Sequence, residues 1–188
     1  MATVRRPTRA EIAAAYGKKV PDLIAPGLRV LFCGINPSLY SAAVKHHFAR
    51  PGNRFWPTLY AAGFTERLLH PSEERELLAA GYGITNLADR ATASADELTA
   101  EELVRGGQRL KVKVTRYEPR VVAFLGVTAY RKAFDQPEAR VGRQAEKLGA
   151  SETWVLPNPS GLNAHYQLAD LVKVFEELRR KVISLQEP

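Results

Sequence analysis

Four short apolar runs along the chain predict β-strands. They occupy residues 28–34 (LRVLFCG), 82–88 (YGITNLA), 121–126 (VVAFLG) and 153–157 (TWVLP), and the second is the weakest. In the three strong runs the apolar residues follow one another without the polar alternation of a half-exposed strand. Such runs are typical of strands that are covered on both faces of a parallel sheet.

The segments between these runs predict amphipathic helices. Thr99 and Glu102 have the spacing of a capping box at the start of a helix with one basic face, and Thr8 and Glu11 repeat that spacing near the N-terminus. Further helices are predicted from a cap at Asn53 to Gly63, from Ser72 to Gly81, and over 167–184 with an apolar face of Leu168, Leu171, Val172, Phe175 and Leu178. Alternating strands and helices predict a three-layer α/β fold, and the absence of repeats or linkers predicts one domain.

Two unusual loops follow predicted strands. GINPS (34–38) ends the first strand, and NPSGLN (158–163) ends the last. In open α/β sheets, ligands bind beyond the carboxyl ends of the strands, so the two loops indicate a site on one rim. Neither loop has the pattern of a P-loop or of a dinucleotide fingerprint, which argues against a nucleotide cofactor.

Composition and charge narrow the class of protein. The 188 residues are 45% hydrophobic and 25% charged, which is ordinary for a globular protein. No run is long enough to cross a membrane, and residues 1–19 lack the apolar core and cleavage site of a secretory signal, so we expect a cytoplasmic protein. The net charge of +7 favours a polyanionic partner.

A metal centre is not expected. The chain has one cysteine, Cys33, which is too few for an iron–sulfur cluster or a Cys-rich zinc site, and its apolar neighbours favour a core residue over a nucleophile. His46 and His47 are adjacent, and adjacent rings cannot both reach one metal from a helix face. His70 and His165 show no ligand spacing.

Several motifs in order resemble a known family. GINPS is followed by HFARPGNRFW (47–56), and LPNPSGLN (156–163) lies near the C-terminus, with DLIAPGLRVLFCGINP, AGFT and WVLPNPSGL as further blocks. They closely resemble the bacterial mismatch-specific uracil-DNA glycosylases, in the thymine-DNA glycosylase branch of the uracil-DNA glycosylase superfamily. The resemblance runs from about Ile24 through the last helix. Residues 1–23 are accordingly expected to form a partly helical extension, and residues 24–188 a single catalytic domain.

The resemblance implies a fold and an activity. The fold is a three-layer α/β/α sandwich with a short, mainly parallel central sheet. The activity is to flip a damaged pyrimidine out of DNA and hydrolyse its N-glycosidic bond, without metal or cofactor. The implied partner is double-stranded DNA with uracil mismatches, with single-stranded DNA as a second form, and the expected protein is a monomer that binds no membrane and acts at the bacterial nucleoid.

The resemblance also implies a base pocket. A base inside the stack cannot be reached, so such an enzyme must extract and hold it. Phe48 would stack on the flipped uracil, and main-chain N–H groups around Ile35 and Phe48 would contact its oxygens. Gly34, Ser41 and Asn158 would complete the pocket. Phe48 as an ordinary core residue is the alternative, which its polar neighbours disfavour.

Asn36 matches the family residue that orients the attacking water. An amide accepts a hydrogen bond but cannot act as a base near neutral pH. Asp89, which follows the second predicted strand, is a candidate to position or activate that water, or to support positive charge on the sugar. The alternative gives Asp89 a structural ion pair or a helix cap.

The second loop matches the part of the family that enters the duplex. Leu162 corresponds to an apolar wedge, Gly161 lets the main chain approach, and Gly161 and Asn163 are placed to read the opposite guanine. A turn of this composition also occurs without any function. Phosphate contacts are predicted at Ser38, Ser160, Lys45, Arg50 and Arg54.

Departures from the family pattern bear on rate and substrate. Asn158 stands where the most active uracil-specific branch has His, and the first motif lacks that branch's acidic residue. The sequence therefore predicts a slow enzyme that needs a good leaving group in a weak pair, such as G·U. Ser38 replaces a usual Gly, and Ala164 replaces a frequent basic residue. These changes leave open whether thymine's methyl fits near Ser41 and Ala42.

The leading prediction is a monofunctional DNA glycosylase, since no lysine suited to a lyase step is identified. Two alternatives from other classes stay open. A non-catalytic binder of single-stranded nucleic acid would use Phe48, Trp56 and the basic helix face for stacking and charge. A hydrolase of free nucleosides would share the base pocket and need no wedge.

Overall fold

The computed structural model describes residues 6–185; residues 1–5 of the expected N-terminal extension and residues 186–188 lie outside the described part. The strands are β1 (Val30–Gly34), β2 (Tyr82–Asn86), β3 (Val121–Leu125), β4 (Gly142–Arg143) and β5 (Glu152–Leu156). The helices are α1 (Arg9–Ala13), α2 (Leu39–Val44), α3 (Phe55–Ala61), α4 (Glu76–Ala79), α5 (Ala100–Tyr117), α6 (Val127–Phe134) and α7 (Leu168–Ser184). Two 3-10 turns span Pro71–Glu73 and Ala95–Glu97.

The five strands form one sheet in the order β2-β1-β3-β5-β4. β1 lies between β2 and β3 in parallel register, with Phe32 opposite Ile84 on one side and Ala123 on the other. β5 extends the parallel sheet, and β4 adds a short antiparallel edge. The four predicted strands are confirmed. β4 was not predicted, because a strand of two residues is too short to show a hydrophobic pattern.

Helices cover both faces of the sheet, so the predicted three-layer α/β/α sandwich is confirmed. On one face α3 and α7 pack around Phe32, whose ring centroid lies 5.5 Å from that of Phe55 and 6.1 Å from that of Phe175. On the other face α5 and α6 cover Leu31 and Cys33. Because side chains alternate across a strand, successive residues of β1 enter two different cores. This double burial explains why the apolar run is continuous.

Most predicted helix starts are confirmed. Thr8 and Thr99 each close a capping box at the start of α1 and α5. The cap predicted at Asn53 is wrong by one residue, because Arg54 occupies the N-cap of α3, although Asn53 Oδ1 accepts a hydrogen bond from Phe55 N–H at 2.9 Å. In α7 Leu171, Phe175 and Leu178 are buried, Val172 is partly buried, and Leu168, the first residue of the helix, is 40% exposed.

The predicted helix over residues 72–81 is wrong in detail. A 3-10 turn capped by His70, rather than by Ser72, is followed by the one-turn helix α4. The cause is Glu74, whose carboxylate turns inward, accepts from His47 N–H at 2.8 Å and lies 3.1 Å from Nδ1 of His46. This inward contact ties the segment to the loop after α2.

The N-terminal segment packs on the domain near the first motif. Ala15 and Val20 join Ala42 of α2 and Ala91 in a small buried cluster. Across residues 6–185, no helix combines the length and the apolar character needed to cross a membrane.

Candidate active site

A cleft of about 620 Å³ opens beyond the carboxyl ends of β1, β3 and β5. Its walls are the loops that follow these strands and the first turn of α6, so the structure brings the GINPS and NPSGLN motifs to one place. The predicted site residues that line it are Gly34, Ile35, Asn36, Ser38, Ser41, Phe48, Arg50, Asn158, Ser160, Leu162 and Asn163. Those outside its lining are Lys45, Arg54, Asp89 and Gly161.

Gly34, Phe48 and Asn86 meet in the wall of the cleft. A Cβ on Gly34 would lie 2.5 Å from Asn86 Oδ1 and 3.1 Å from the nearest Phe48 ring carbon, so only glycine leaves room here. Asn86 ends β2, lines the cleft, is 7% exposed and makes no side-chain hydrogen bond with any described residue. Its amide offers a donor and an acceptor side by side, which suits a pyrimidine edge.

Sequence reasoning misses Asn86. The signal that could find it is its position, because it stands at the carboxyl end of a predicted strand, on the rim that carries Gly34. A polar residue at the end of a buried strand is a candidate ligand for whatever binds beyond the sheet.

The loop that carries Phe48 is held from both sides. Phe48 has φ 51°, a left-handed conformation that costs a non-glycine residue roughly 1–2 kcal/mol. The preceding N–H, of His47, donates to Glu74, and the following N–H, of Ala49, donates to Ser41 Oγ at 3.0 Å. These two bonds stabilise the strained residue. Ser41, which is predicted to lie in the base pocket, thus also supports Phe48.

The ring of Phe48 stacks on that of Phe55, with centroids 4.1 Å apart and planes at 29°. Stacking uses one face of the ring and leaves the other for the cleft. The main-chain N–H groups of Ile35 and Phe48 donate to no acceptor in the described part of the chain. Trp56 is 4% exposed and donates through Nε1 to the His47 carbonyl, so it is a core residue and not the stacking surface that the non-catalytic alternative needs.

The amide of Asn36 is fixed by two hydrogen bonds. Its Nδ2 donates to the carbonyl of Arg90 at 3.0 Å and to Thr92 Oγ1 at 2.7 Å. The Thr92 hydroxyl donates onward to the carbonyl of Ser94 at 2.7 Å, so its oxygen can only accept from Asn36. Both amide protons are therefore engaged. Oδ1 is left to accept a hydrogen bond from a molecule in the cleft.

Asp89 lies outside the cleft lining. Its carboxylate pairs with Lys19 Nζ at 3.1 Å, and its side chain is 33% exposed. This geometry favours the alternative of a structural ion pair at Asp89 over a role in handling the water. Among residues 6–185, the carboxylate that lines the cleft belongs to Asp96, which is exposed at the rim and carries no sequence signal.

Leu162 stands on an internally bonded turn after β5, and its side chain is 75% exposed. Asn158 Oδ1 accepts from Ser160 N–H at 2.9 Å, and Asn163 Nδ2 donates to the Asn158 carbonyl at 2.9 Å. Single exposed apolar side chains are common on protein surfaces, and Leu162 is distinguished by its position in the lining of the cleft. The amides of Asn158 and Asn163 thus help to shape the turn that presents Leu162.

Gly161 packs against the loop that leads into α3. A Cβ on Gly161 would lie 2.5 Å from the carbonyl oxygen of Gly52. The close main-chain approach expected at Gly161 is therefore made within the protein. It joins the Leu162 turn to the segment that follows Phe48.

Arg54 holds the same turn from its inner side. Its guanidinium donates to the carbonyls of Ser160 and Tyr166, both at 2.5 Å, and of Asn163 at 2.9 Å. These contacts engage both terminal nitrogens of the guanidinium, and its Nε is buried, so the geometry favours a structural role for Arg54 over the predicted phosphate contact. Arg54 instead acts as a clamp on the turn.

The other predicted phosphate contacts differ in their surroundings. Ser38 caps α2, because its Oγ accepts from Ser41 N–H at 3.1 Å, although it also lines the cleft. Lys45 is exposed away from the lining, whereas Arg50 is exposed and lines the cleft. Ser160 lines it too, and its Oγ accepts from Leu162 N–H at 3.3 Å. Arg50 is therefore the cation best placed for a phosphate.

The N-terminus of α6 faces the cleft and is a second feature that sequence reasoning misses. Gly126 precedes the helix with φ 144° and provides no side-chain cap, and Val127 and Thr128 line the cleft. Uncapped N–H groups and the helix dipole make a helix start attractive to anions. The signal in the sequence is the glycine between a predicted strand and a helical segment.

Burial sets the chemistry of two further groups. Burial lowers the pKa of His47 below its ordinary 6.5, and Nε2 lies 2.9 Å from the Pro21 carbonyl, so a neutral ring donates there. Burial raises the pKa of the Cys33 thiol far above its ordinary range, which makes it unreactive. No cluster of three or more His, Cys, Asp or Glu side chains within residues 6–185 is arranged to hold a metal ion.

Comparisons with known proteins give one family and one fold. The model of the uracil DNA glycosylase superfamily matches residues 21–179, which include both motifs and all five strands. The chain is similar to the solution NMR structure of a candidate uracil DNA glycosylase from Methanosarcina acetivorans, at 18% identity and a TM-score of 0.58, covering 87% of this chain and 98% of that one. At that identity the structural likeness shows a shared fold.

Proposed function

The chain belongs to the uracil DNA glycosylase superfamily, and from that premise we propose that it is a monofunctional glycosylase that removes uracil from DNA, best from G·U mismatches. The observation that carries the proposal is the meeting of an oriented Asn36 amide, the Phe48 ring and the exposed Leu162 at one cleft. Each of these groups meets one physical requirement of base excision.

The first requirement is to extract the base and hold it. Leu162, on a turn that Arg54 holds, enters the space that the flipped base leaves, since inserted apolar side chains keep a duplex unstacked. The free face of Phe48 stacks on the base, and the Asn86 amide bonds its edge. A G·U wobble pair costs less to open than a Watson–Crick pair, which supports the proposed preference.

The second requirement is to break the bond between the sugar C1′ and uracil N1. As it breaks, positive charge builds on the sugar and negative charge on uracil. The N–H groups of Ile35 and Phe48, with the Asn86 amide, are fixed donors that stabilise the departing anion without reorganising. Asn36 Oδ1 accepts a hydrogen bond from water, whose oxygen bonds to C1′ and whose proton goes to uracil or solvent.

The side-chain hydrogen bonds of Asn36 within the described residues go to the Arg90 carbonyl and the Thr92 hydroxyl, so no general base is bonded to Asn36, and this determines the expected rate. An amide cannot take the proton of water, and Asp89 is engaged with Lys19 outside the cleft lining. The quality of the leaving group therefore controls catalysis, which supports a slow enzyme specific for uracil in weak pairs. We further propose a cofactor-free monomer that acts on double-stranded DNA at the bacterial nucleoid, and its net charge of +7 supports that partner.

The test is a labelled duplex with one G·U mismatch, incubated with excess protein and then with alkali. We expect cleavage at the uracil after alkali, none without it, and no adduct trapped by borohydride. A matched A·U duplex should react more slowly. Asn36→Ala should slow release by about 100-fold, the scale of a lost water-positioning group.

Other outcomes would assign another function. Tight binding of the duplex without base release would favour the non-catalytic nucleic-acid binder. Release of uracil from free deoxyuridine but not from DNA would favour the nucleoside hydrolase. The variant Leu162→Ala separates these cases further, because only a duplex-opening enzyme needs its exposed side chain.

A further inference from the structure

A single peptide unit links the N-terminal segment to Asn36. The unit joins Arg90 and Ala91. Its carbonyl accepts from Asn36 Nδ2 at 3.0 Å, and its N–H donates to the Lys18 carbonyl at 2.8 Å. Because a trans peptide is planar, with its N–H and C=O pointing in opposite directions, one rigid unit connects the two segments.

The next peptide unit makes a parallel connection. It joins Ala91 and Thr92. Its carbonyl accepts from Gly17 N–H at 2.9 Å, and its N–H donates to the Pro37 carbonyl at 3.3 Å. Two consecutive units thus have one end on residues 17 and 18 and the other end on residues 36 and 37. Hydrogen-bond chains of this kind polarise and strengthen one another.

Apolar packing supports the same connection. Ala15 and Ala91 are both fully buried, and they pack with Val20 and with Ala42 of α2. Small side chains in close contact leave little space for residues 90–92 to shift. The connection is therefore packed as well as hydrogen-bonded.

Polar side chains fasten the ends of the connected segment. Arg90 donates through Nε and Nη2 to Glu102 of α5, at 2.5 and 3.0 Å, and Nη1 lies 3.4 Å from the Tyr16 hydroxyl. The hydroxyl donates to Glu97 at 3.1 Å. Arg90 is thus held between the N-terminal segment and α5, while its carbonyl receives Asn36.

We propose that residues 15–19, the N-terminal brace, fix residues 90–92 and thereby hold the amide of Asn36 in its working orientation. The brace precedes the family-matched region, which starts at residue 21. Its residues touch no substrate and act through Asn36, which makes Gly17 and Lys18 positioning residues. The inference rests on the role proposed for Asn36.

Gly17 offers a matched pair of variants. It has φ +73°, and a Cβ there would meet no atom within 4 Å. Gly17→Pro removes the N–H that bonds Ala91, and its ring cannot adopt this φ. Gly17→Asn keeps the N–H, and asparagine tolerates left-handed backbone better than most residues. The two variants differ in the hydrogen bond to Ala91 and in the left-handed backbone conformation that places the N–H for it.

The kinetic test measures base release from the G·U duplex at saturating enzyme in a single turnover. We expect Gly17→Pro to slow release about 10-fold, since a misplacement near 1 Å can cost about 100-fold. Gly17→Asn should stay within about twofold of the parent protein, and affinity for a duplex with an abasic site should not change. Combined with Asn36→Ala, Gly17→Pro should add no further loss, because both act through one group. Additive losses, or equal slowing by both Gly17 variants, would overturn the brace.

Hydrogen exchange tests the brace independently of uracil release. We expect the amide proton of Ala91 and the side-chain amide of Asn36 to exchange at least about 10-fold faster in Gly17→Pro, because local opening is favoured. The amide of Ala123 in β3 should be unchanged, which excludes general unfolding. Unchanged exchange at Ala91 and Asn36 would refute the brace. If Gly17→Pro shows these exchange effects but the parent protein releases no uracil, the proposed function is refuted and the brace is not.

Discussion

The side-chain oxygen of Asn86 lies beside Gly34, 2.5 Å from where a Cβ on that glycine would stand. Gly34 and Asn86 are paired at the ends of the adjacent parallel strands β1 and β2. The missing side chain at Gly34 leaves room for the Asn86 amide beside the cleft. The amide is 7% exposed and has no partner among the described side chains. Its donor and acceptor are therefore available to a group that enters the cleft.

Replacing Asn86 is expected to impair base release more than folding. Asn86→Leu keeps the branched skeleton and removes the amide, so release in a single turnover should slow about 10- to 100-fold, the scale of one or two hydrogen bonds to a developing anion. The melting temperature should not fall, because no internal hydrogen bond is lost. A rate within twofold of the parent protein would show that Asn86 does not touch the base.

Thr92 is expected to control the orientation of Asn36. Thr92→Val keeps the shape and removes the oxygen that accepts from Nδ2 at 2.7 Å, so the amide can rotate. Base release should slow about 10-fold, with unchanged affinity for abasic DNA. Thr92→Ser retains the acceptor and serves as the control. Equal losses in both variants would point to packing rather than to the hydrogen bond.

Asp89 is expected to be dispensable for chemistry. Asp89→Asn removes the charge that pairs with Lys19 at 3.1 Å, and exposed pairs contribute only about 0–1 kcal/mol. Single-turnover release should stay within twofold across pH 6–8. A loss near that of Asn36→Ala would restore Asp89 as a catalytic candidate.

Arg54 and Arg50 are expected to differ in their response to salt. Arg50→Met should reduce the slope of log affinity against log salt by about one, because one phosphate contact is lost. Arg54→Met should leave that slope unchanged while slowing base release, since its guanidinium bonds the carbonyls of the Leu162 turn. DNA-binding titrations over a range of salt measure both. A reduced slope in Arg54→Met would make Arg54 a phosphate contact after all.

His47 is expected to limit stability in acid. Burial lowers its pKa below 6.5, so below that pH the unfolded chain takes up a proton that the folded protein resists. The free energy of unfolding should therefore fall as pH drops below about 6.5, by at most about 1.4 kcal/mol per pH unit. In His47→Gln, whose amide can still donate to Pro21, that part of the slope should vanish. Denaturant titrations between pH 7.5 and 5 provide the measurement.

The strands were predictable because burial on both faces leaves a strong mark in the sequence. Phe32 and Cys33 are consecutive residues that enter opposite cores, so every position of the strand must be apolar. The segment over 72–81 was less predictable. The inward turn of Glu74 toward His47 depends on a tertiary contact that no local period records.

The site residues were predictable where a loop motif follows the end of a strand. They were not predictable where a role depends on the direction in which a side chain points. The motifs indicate Asn36, Phe48 and Leu162, and the structure brings all three to the cleft. Asp89 and Arg54 have suitable chemistry at suitable places in the sequence, yet both side chains are engaged elsewhere. Composition tells which groups are available, whereas only packing tells where they point.

The contact between Gly161 and Gly52 has a mechanical consequence. Two main chains touch there, with no rotatable side chain between them to yield. The turn that carries Leu162 and the loop that follows Phe48 are therefore in direct main-chain contact. We expect a displacement of either segment to be transmitted to the other, so that Leu162 and Phe48 move together.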